Sequence, residues 1–371
     1  MKIMCVITGL GHGGAENLLL DIMIEQASRG IEQTLVYLTP KTDLLERFEN
    51  TDAEVHFIDK EKLGAFGTIK AIKKLVKTWK PDVVHTHLVM ADTLGRAACL
   101  FVRNVKIFST VHNMDEWMKS KKLSHRILRL FNRVTVNRFK KNRLIAVAEC
   151  CREHCIRYEK IKPNKITTLY NFITPHPEKR LLPIIREDLG ISQNDLVFVN
   201  VGRMEAQKAQ MDILMAAKSL KEQNIQNVQF IIIGDGSLRP ELKGYIEQNS
   251  LYDSVKLTGV IQNVYNYFEI SNLFIMSSLH EGFSIAILEA FDNKLPVLSS
   301  SIPSVHEMIE HGKSGILYEA GNIDELVNTI KEIKNGRYNL PLLAENAHAF
   351  SSELTKENYM ERLFALYRSA E

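Results

Sequence analysis

The sequence predicts an α/β protein made of two Rossmann-like domains that face each other across a cleft, and three observations support this fold. The chain has 371 residues, enough for two domains of ordinary size. In both halves, short runs rich in valine and isoleucine alternate with segments of helical period, which is the pattern of a parallel, doubly wound sheet. Between the halves the alternation lapses around Pro175, Pro177 and Pro183, a composition typical of a linker.

The first half is expected to form an N-terminal domain over residues 1–172, followed by the linker over 173–186. Helices are expected over Ala15–Arg29 and over Thr68–Trp79, the second ending before Pro81. Six buried strands are expected beside such helices: Lys2–Thr8, Gln33–Thr39, Val55–Asp59, Val83–His87, Lys106–His112 and Arg143–Ala148.

The alternation restarts after the linker and predicts a C-terminal domain over residues 187–350. A last helical run from Glu353 to Arg368, inside the terminal segment 351–371, can pack back on the N-terminal domain. The expected elements of the second domain are Leu196–Val201, Met211–Gln223, Val228–Ile233, Leu238–Gln248, Val255–Leu257, Leu273–Ser277, Ile285–Asp292 and Pro296–Ser299.

Composition narrows the class of protein. Hydrophobic residues make up 45% and charged residues 25% of the chain, the balance of an ordinary soluble globular protein. No apolar stretch approaches the roughly 20 residues of a membrane span, and Met4–Ile7 is too short for the apolar core of a signal peptide. We therefore expect a cytoplasmic protein. The five cysteines lack the paired spacing of a zinc site, so no metal is expected from them.

One segment is strongly basic although the formal net charge is only +3. Between Met118 and Ala148 there are ten lysines and arginines and no acidic residue. Segment 119–143 therefore predicts a basic amphipathic helix that binds an anionic membrane surface, or one whose apolar stripe faces the core. Few aromatic residues interleave with the charges, so nucleic acid is not an expected partner. The apolar stripe consists of Leu123, Ile127, Leu130, Phe131 and Val134.

The strand-to-helix junctions carry the candidate chemistry, because ligands bind at the carboxyl ends of parallel strands. The first junction, Gly9–Gly14, matches G-x-G-x-x-G and lets backbone amides approach a phosphate. A dinucleotide site would also need an acidic residue after the second strand, and Leu38–Lys41 has none; a tight turn is the other interpretation. His112 ends the fifth strand, where it either faces the cleft or is structural.

Two junctions of the second domain offer charged groups. Arg203 and Lys208 bracket a loop after its first strand, where two cations can neutralise a leaving diphosphate; two solvated surface charges are the alternative. Glu281 precedes a helix, and Glu289 lies inside it, where a carboxylate can accept hydrogen bonds from both ribose hydroxyls or simply lie on the helix surface. Residues 282–284 leave free amides at the start of that helix, which is an anion site.

Taken together, these junctions resemble the retaining nucleotide-sugar glycosyltransferases of glycosyltransferase family 4, which have the GT-B fold. The likeness covers nearly the whole chain. It is strongest at the Glu-x7-Glu pair of Glu281 and Glu289, which is followed by Leu295-Pro296-Val297. The other matching pieces are Gly13-Gly14-Ala15-Glu16, Thr110-Val111-His112-Asn113, Gly202-Arg203 with Lys208, Gly234-Asp235-Gly236, and Glu307 through Gly315-Ile316-Leu317.

The resemblance implies how the donor is bound and how the sugar is transferred. Arg203 and Lys208 would bind the donor diphosphate and stabilise it as it leaves, and Glu289 would hold the ribose. The family is pictured as transferring by front-face attack, with a phosphate oxygen taking the acceptor proton, so no carboxylate nucleophile is expected. The sequence has no Asp-x-Asp motif, and the resemblance implies that no metal cofactor is required.

The remaining roles concern the donor sugar and the acceptor. Glu281, with the backbone amides of Phe283 and Ser284, would face the donor sugar and phosphates. His112 would lie under the donor sugar, while the Gly13–Gly14 loop would pack near the phosphates and the acceptor.

The implied enzyme is a hexosyltransferase that moves a sugar from a UDP-sugar to a saccharide acceptor, such as one linked to polyprenyl diphosphate. It would act in bacterial-type polysaccharide or glycolipid synthesis, in the cytoplasm or peripherally on the inner face of the plasma membrane. The alternatives are a non-catalytic nucleotide-sugar or lipid-binding protein, and another GT-B activity such as an epimerase. The chain departs from the family pattern at Ala209 and Ser284, where glycine is frequent, and at Asp292-Asn293-Lys294.

Overall fold

The computed structural model describes residues 1–114, 119–174, 184–261 and 263–369. The chain divides into two compact units. Unit 1 comprises Met1–Phe172 and Lys356–Glu371, and unit 2 comprises Ile173–Thr355. Most of the expected linker, residues 175–183, lies outside the described part of the chain.

Unit 1 is built on a seven-stranded parallel sheet with the strand order β3-β2-β1-β4-β5-β6-β7. Its inner strands are buried along almost their whole length, because helices cover both faces of a parallel sheet. The strands are β1 (Lys2–Ile7), β2 (Glu32–Tyr37), β3 (Glu54–Phe57), β4 (Val83–His87), β5 (Lys106–Val111), β6 (Asn142–Ala146) and β7 (Ile166–Thr168). The helices between them are α1 (Gly14–Ser28), α2 (Leu45–Glu49), α3 (Lys60–Trp79), α4 (Val89–Cys99), α5 (Leu123–Arg138) and α6 (Glu149–His154).

Unit 2 repeats this arrangement with a six-stranded parallel sheet in the order β10-β9-β8-β11-β12-β13. Its strands are β8 (Leu196–Val201), β9 (Val228–Ile233), β10 (Val255–Gly259), β11 (Leu273–Met276), β12 (Val297–Ser301) and β13 (Ile316–Glu319). Its helices are α7 (Gln210–Glu222), α8 (Arg239–Gln248), α9 (Tyr265–Glu269), α10 (Ile285–Asp292), α11 (Ile323–Lys334) and α12 (Leu340–Ser352).

Two parallel-sheet α/β domains are confirmed, and the strand order explains where ligands can bind. In unit 1 the order reverses between β1 and β4, and in unit 2 between β8 and β11. Loops on the two sides of such a reversal diverge at the carboxyl edge and leave a crevice. The sequence predicted β8 and β9 at their observed residues but missed β7 and β13, because runs of three and four residues are too short to show a period.

None of the described helices is long and apolar enough to cross a membrane.

The last helix, α13 (Lys356–Ser369), belongs to unit 1, although unit 2 precedes it in the chain. Tyr367 anchors α13, because it is 1% exposed and its hydroxyl lies 2.6 Å from Nδ1 of His85 on β4. Lys106 Nζ also donates to the carbonyl oxygen of Tyr367 at 3.1 Å.

Replacing Tyr367 by phenylalanine tests this anchor. Tyr367→Phe leaves a buried nitrogen of His85 without its partner, which typically lowers the free energy of unfolding by about 1–3 kcal/mol. Urea denaturation followed by circular dichroism measures the change. The control is Tyr338→Phe, which removes a half-buried hydroxyl lying 3.4 Å from Glu332. Equal destabilisation by the two variants would contradict the anchor.

Candidate functional site

The first charged loop of unit 2 follows β8 at the carboxyl edge, and close backbone packing holds it there. Met204 N donates to the carbonyl oxygen of Asp235 at 2.9 Å. Gly234 has a φ of 138°, and a Cβ atom on it would lie 2.0 Å from the carbonyl oxygen of Gly202. Only glycine fits at this point, so the match at Gly234 has a steric cause.

The same loop brings Lys208 against Glu281, 73 residues further along the chain. Lys208 Nζ forms an ion pair with Glu281 Oε1, and the two side chains are 21% and 9% exposed. Ser278 Oγ donates to the same carboxylate oxygen at 2.7 Å, and Ser277 Oγ donates to the carbonyl oxygen of Lys208 at 2.9 Å. Two residues that the sequence singled out are therefore in direct contact.

Arg203 behaves differently from Lys208. Its side chain is exposed, and its guanidinium has no partner within the described ranges, while its carbonyl oxygen accepts a bond from Gln210 Nε2 at 3.0 Å. The loop is also fastened at its other end, because Gln207 Nε2 donates to the carbonyl oxygen of His280 at 2.7 Å. A fixed backbone thus presents one exposed and one partly exposed cation at the edge of the sheet.

Helix α10 starts at Ile285, four residues after Glu281. Ser284 is its N-cap, and its Oγ accepts from the backbone amide of Ile287 at 3.4 Å. Phe283 and Ser284 are 4% and 7% exposed, and Glu289 is half-buried inside the helix. The serine at this departure from the family pattern therefore has a structural use, since serine is among the preferred N-cap residues.

The other departure, Ala209, lies directly after Lys208 and has a φ of 46° and a ψ of 41°. This is the left-handed region, which costs a residue with a Cβ atom roughly 1–2 kcal/mol and costs glycine almost nothing. Alanine here keeps the conformation that glycine favours, at the price of local strain.

In unit 1 the glycine-rich junction approaches an acidic side chain. Gly13 is the extended N-cap of α1, and a Cβ atom on it would lie 2.1 Å from Oε2 of Glu16. A Cβ atom on Gly9 would lie 2.5 Å from Oγ1 of Thr39. Thr39 Oγ1 is fixed by its bond to the carbonyl oxygen of Thr8 at 2.9 Å, so the close approach explains glycine at position 9. The carboxylate of Glu16 is the end of a flexible side chain, so the approach at Gly13 does not by itself require glycine. The phosphate and acceptor role of the Gly13–Gly14 loop stays a prediction.

His112 belongs to a group of three histidines at the ends of β4 and β5. His87 Nδ1 lies 3.0 Å from His112 Nε2, and the rings of His85 and His87 have centroids 4.3 Å apart. His85 Nε2 lies 2.7 Å from Thr110 Oγ1. Sequence reasoning missed the contact between His87 and His112, whose only signal was that both residues end neighbouring strands.

Burial keeps these histidines neutral. It lowers the pKa of His85 from 6.5 to about 3, with a smaller contribution from His112. It lowers the pKa of His112 to about 4 and that of His87 well below its ordinary value. One proton is therefore shared between the facing nitrogens of His87 and His112, and His112 acts as a neutral hydrogen-bonding group.

The basic segment forms α5, and three of the five residues of its apolar stripe face solvent, while Phe131 and Val134 are half-buried. Leu123, Ile127 and Leu130 are 69%, 60% and 59% exposed, whereas Asn132 and Thr135 are buried on the opposite side. The alternative that these three residues face the core is wrong. No group of three or more histidine, cysteine, aspartate or glutamate side chains is placed to hold a metal ion in the described part of the chain.

Comparison with known proteins places the chain in a family. A model described as glycosyl transferases group 1 matches residues 183–352, and one described as glycosyltransferase family 4 matches residues 12–176. An Escherichia coli relative, UDP-Gal:alpha-D-GlcNAc-diphosphoundecaprenol alpha-1,3-galactosyltransferase, is 30% identical over 287 residues, which are 74% of this chain and 72% of that protein. The chain belongs to glycosyltransferase family 4, and it is an enzyme of the hexosyltransferase class.

Two further similarities extend over almost the whole chain. The capsular polysaccharide biosynthesis glycosyltransferase CapH of Staphylococcus aureus is 22% identical over 98% of this chain and 99% of its own. The crystal structure of Anabaena HepE in complex with UDP-glucose is 21% identical, covers 100% of both chains and has a TM-score of 0.83. The two domains thus have the GT-B fold.

The neutral histidines predict a loss of stability in acid. Below about pH 6.5 an unfolded chain takes up protons on His85 and His112, whereas the lowered pKa values of about 3 and about 4 keep both neutral in the folded chain until the pH is near those values. The free energy of unfolding is therefore full above about pH 6.5 and falls as the pH drops, by up to about 1.4 kcal/mol per pH unit for each histidine.

Urea denaturation between about pH 7 and pH 5 measures this slope. His85→Gln is expected to flatten it, because one buried neutral histidine is removed. The control is His12→Gln, since His12 is exposed. A slope that is the same in both variants would contradict the prediction.

Proposed function

We propose that the protein is a retaining glycosyltransferase that moves a hexose from a UDP-sugar to a lipid-linked saccharide in cell-surface polysaccharide or glycolipid synthesis. The observation that carries the proposal is the contact between Lys208 and Glu281 beside exposed Arg203. The names of the Escherichia coli and Staphylococcus aureus relatives support the acceptor class, and the UDP-glucose complex of HepE supports the donor.

Positive charge at the edge of the second sheet suits a leaving diphosphate. Negative charge grows on the diphosphate oxygens as the glycosidic bond breaks, and cations fixed beforehand stabilise it without reorganising. Arg203 offers an exposed guanidinium for this purpose, while Lys208 keeps its position through Glu281. Because these side chains supply the positive charge, the reaction is expected to need no metal ion.

The surroundings of Glu281 support retention without a covalent glycosyl-enzyme. Its Oε1 already accepts bonds from Lys208 and Ser278, so this oxygen is poorly available as a nucleophile. In the proposed front-face reaction, the acceptor hydroxyl attacks the anomeric carbon on the side from which the diphosphate leaves. A phosphate oxygen takes the proton of that hydroxyl, and the configuration of the sugar is kept.

The other site residues orient the donor. Glu289 accepts the ribose hydroxyls, and the amides of Phe283 and Ser284 face the sugar and phosphates. His112 offers a neutral ring to the donor sugar, so its hydrogen bonds do not change between about pH 5 and pH 8.

Calorimetric titration with UDP, GDP and NAD⁺, each in EDTA, tests the donor class and the need for metal. UDP binding in EDTA is expected. Binding of NAD⁺ alone would mean that Gly9–Gly14 is a dinucleotide loop. UDP binding without hydrolysis or transfer, given a panel of UDP-sugars and lipid-linked acceptors, would favour a non-catalytic binding protein.

Removing one cation tests the mechanism. Lys208→Ala is expected to lower kcat by about 100- to 1,000-fold, because the leaving diphosphate loses a preorganised partner. The double variant Lys208→Ala/Glu281→Gln avoids an unpaired buried carboxylate, so it separates poor turnover from poor folding. Lys218→Ala is the control, because that partly exposed lysine pairs with Glu222 on α7. Equal rates for Lys208→Ala and Lys218→Ala would contradict the mechanism.

We also propose that α5 holds the enzyme on an anionic membrane, where a lipid-linked acceptor resides. The helix presents Leu123, Ile127 and Leu130 to solvent, with exposed Arg126 and Arg133 beside them. This combination suits a helix that lies in the headgroup region, with apolar side chains inserted and arginines on anionic lipids.

Charge reversal on α5 tests the membrane contact. Arg126→Glu/Arg133→Glu is expected to lower partitioning into phosphatidylglycerol vesicles about tenfold or more, because each cation near such a surface contributes about 1 kcal/mol. Sedimentation with the vesicles measures it. The matched control, Lys243→Glu/Lys334→Glu, makes the same change of net charge on exposed residues of unit 2. Equal losses of vesicle binding in the two double variants would contradict the proposed role of α5.

A further inference from the structure

The start of α3 carries an apolar tip that the glycosyltransferase site does not use. Phe66 is 82% exposed, more than any other large hydrophobic side chain in the described part of the chain, and Leu63 is 46% exposed. Between them the backbone leaves the helix at Gly64, which has a φ of 63° and a ψ of 179°. This break turns the first helical turn away from the rest of α3 and leaves both side chains at its corner.

The rest of the outer face of α3 is basic. The core-facing side consists of Thr68, Ile72 and Val76, at intervals of four residues. Phe66 begins a second row at the same interval, which continues with exposed Lys70 and Lys74 on the opposite side. Between residues 60 and 80 there are seven lysines and a single glutamate. Exposed apolar side chains beside cations, which are arginines in α5, thus occur on a second helix, where the cations are lysines.

Both helices lie on one face of the first sheet. The chain moves in the same direction across the sheet from β3 to β4, from β4 to β5 and from β5 to β6. Right-handed crossovers therefore put α3, α4 and α5 on the same side. Contacts agree with this arrangement, since Ile72 of α3 shares a core cluster with Leu94 of α4, and Arg96 of α4 bonds to Asn132 of α5.

Both helices also start at the same edge. Each follows the carboxyl end of a parallel strand, β3 for α3 and β5 for α5. Leu63 and Phe66 therefore lie towards the same carboxyl edge of the sheet as Leu123, and the Gly9–Gly14 junction and His112 also lie at this edge. A bilayer that receives the start of α5 at this edge lies within reach of the start of α3.

We propose that Leu63 and Phe66 form a second membrane-insertion point, which with α5 turns the carboxyl edge of unit 1 towards an anionic bilayer. This inference rests on the membrane contact of the proposed function. Phenylalanine and leucine at the acyl boundary with lysines in the headgroups is the favourable arrangement for an interfacial helix. A second attachment point on the same unit strengthens membrane binding even when the affinity of α5 itself is unchanged, and it fixes the orientation of the unit on the bilayer.

A tryptophan at the tip reports directly on its environment. Phe66→Trp is expected to shift its emission to the blue when phosphatidylglycerol vesicles are added, and brominated lipids are expected to quench it. The wild-type protein, which contains Trp79 and Trp117, supplies the background to subtract. Emission that stays unchanged with vesicles, or that shifts only with protein concentration, would overturn the inference; the second result would indicate contact with another copy of the chain.

A polar substitution measures the contribution to binding. Phe66→Ser is expected to lower partitioning into the same vesicles about tenfold. The matched control is Phe101→Ser, because Phe101 is 78% exposed but lies between the end of α4 and the start of β5, at the opposite edge of the sheet. Circular dichroism checks that both variants are folded.

These measurements separate the two proposals. If charge reversal on α5 weakens binding while Phe66→Ser and Phe101→Ser both bind like the wild type, α5 holds the membrane and the second insertion point is wrong. If the wild-type protein does not bind vesicles, the membrane part of the proposed function fails, and this inference fails with it. UDP binding and transfer to a soluble acceptor report on the glycosyltransferase reaction independently of both.

Discussion

The ion pair between Lys208 and Glu281 is the interaction on which the site of unit 2 depends. It joins the loop after β8 to the loop after β11, two strands that are neighbours only because the sheet order reverses between them. Desolvating two charges is unfavourable, and a buried pair is kept only where further hydrogen bonds support it. Ser278 supplies such a bond to the carboxylate. Ser277 in turn bonds to the backbone of Lys208, so this residue is held both at its backbone and at its ammonium group.

In the proposed function, this arrangement keeps two cations ready for a diphosphate. Removing one partner of a buried pair typically costs about 3–5 kcal/mol, and the partial exposure of Lys208 lowers that figure. The carboxylate therefore stabilises the folded loop while no donor is bound. Arg203 is exposed and has no such partner in the described ranges, so no ion pair within the protein has to break when an anion binds to it. Lys208 is thus held in one position, whereas the side chain of Arg203 is exposed.

Unit 1 offers the opposite chemistry. His85 and His87 are buried and His112 is half-buried, and all three are neutral. The glycine-rich junction of this unit lies close to the carboxylate of Glu16. Neutral imidazoles suit ligands rich in hydroxyl groups, because the hydrogen bonds that they form do not change with pH near neutrality. The difference between the units follows from burial, because a histidine in the end of a covered parallel strand cannot keep a proton.

Much of this could be predicted from the sequence, for identifiable reasons. Buried parallel strands are nearly continuous apolar runs, so β8 and β9 were predicted at their observed residues. The location of Arg203 and Glu281 in loops at strand ends could be predicted from their spacing and from the family resemblance. The bond from Ser278, the left-handed backbone of Ala209 and the pairing of His87 with His112 could not, because each depends on side chains brought together by the fold.

The direction of α5 shows most clearly why periodicity is not enough. An apolar stripe normally turns inward, yet the buried side of α5 carries the polar residues Asn132 and Thr135 beside Val136. Asn132 has partners there: Arg96 Nη2 donates to its Oδ1 at 2.5 Å, and its Nδ2 donates to Glu159 Oε2 at 2.7 Å. A buried guanidinium and carboxylate need those bonds, so the helix cannot rotate its leucines into their place. The stripe is thereby held in solvent, where contiguous apolar surface is unfavourable unless another surface covers it. The buried network and the exposed stripe are two sides of one helix, and together they favour a membrane over a core as the partner of α5.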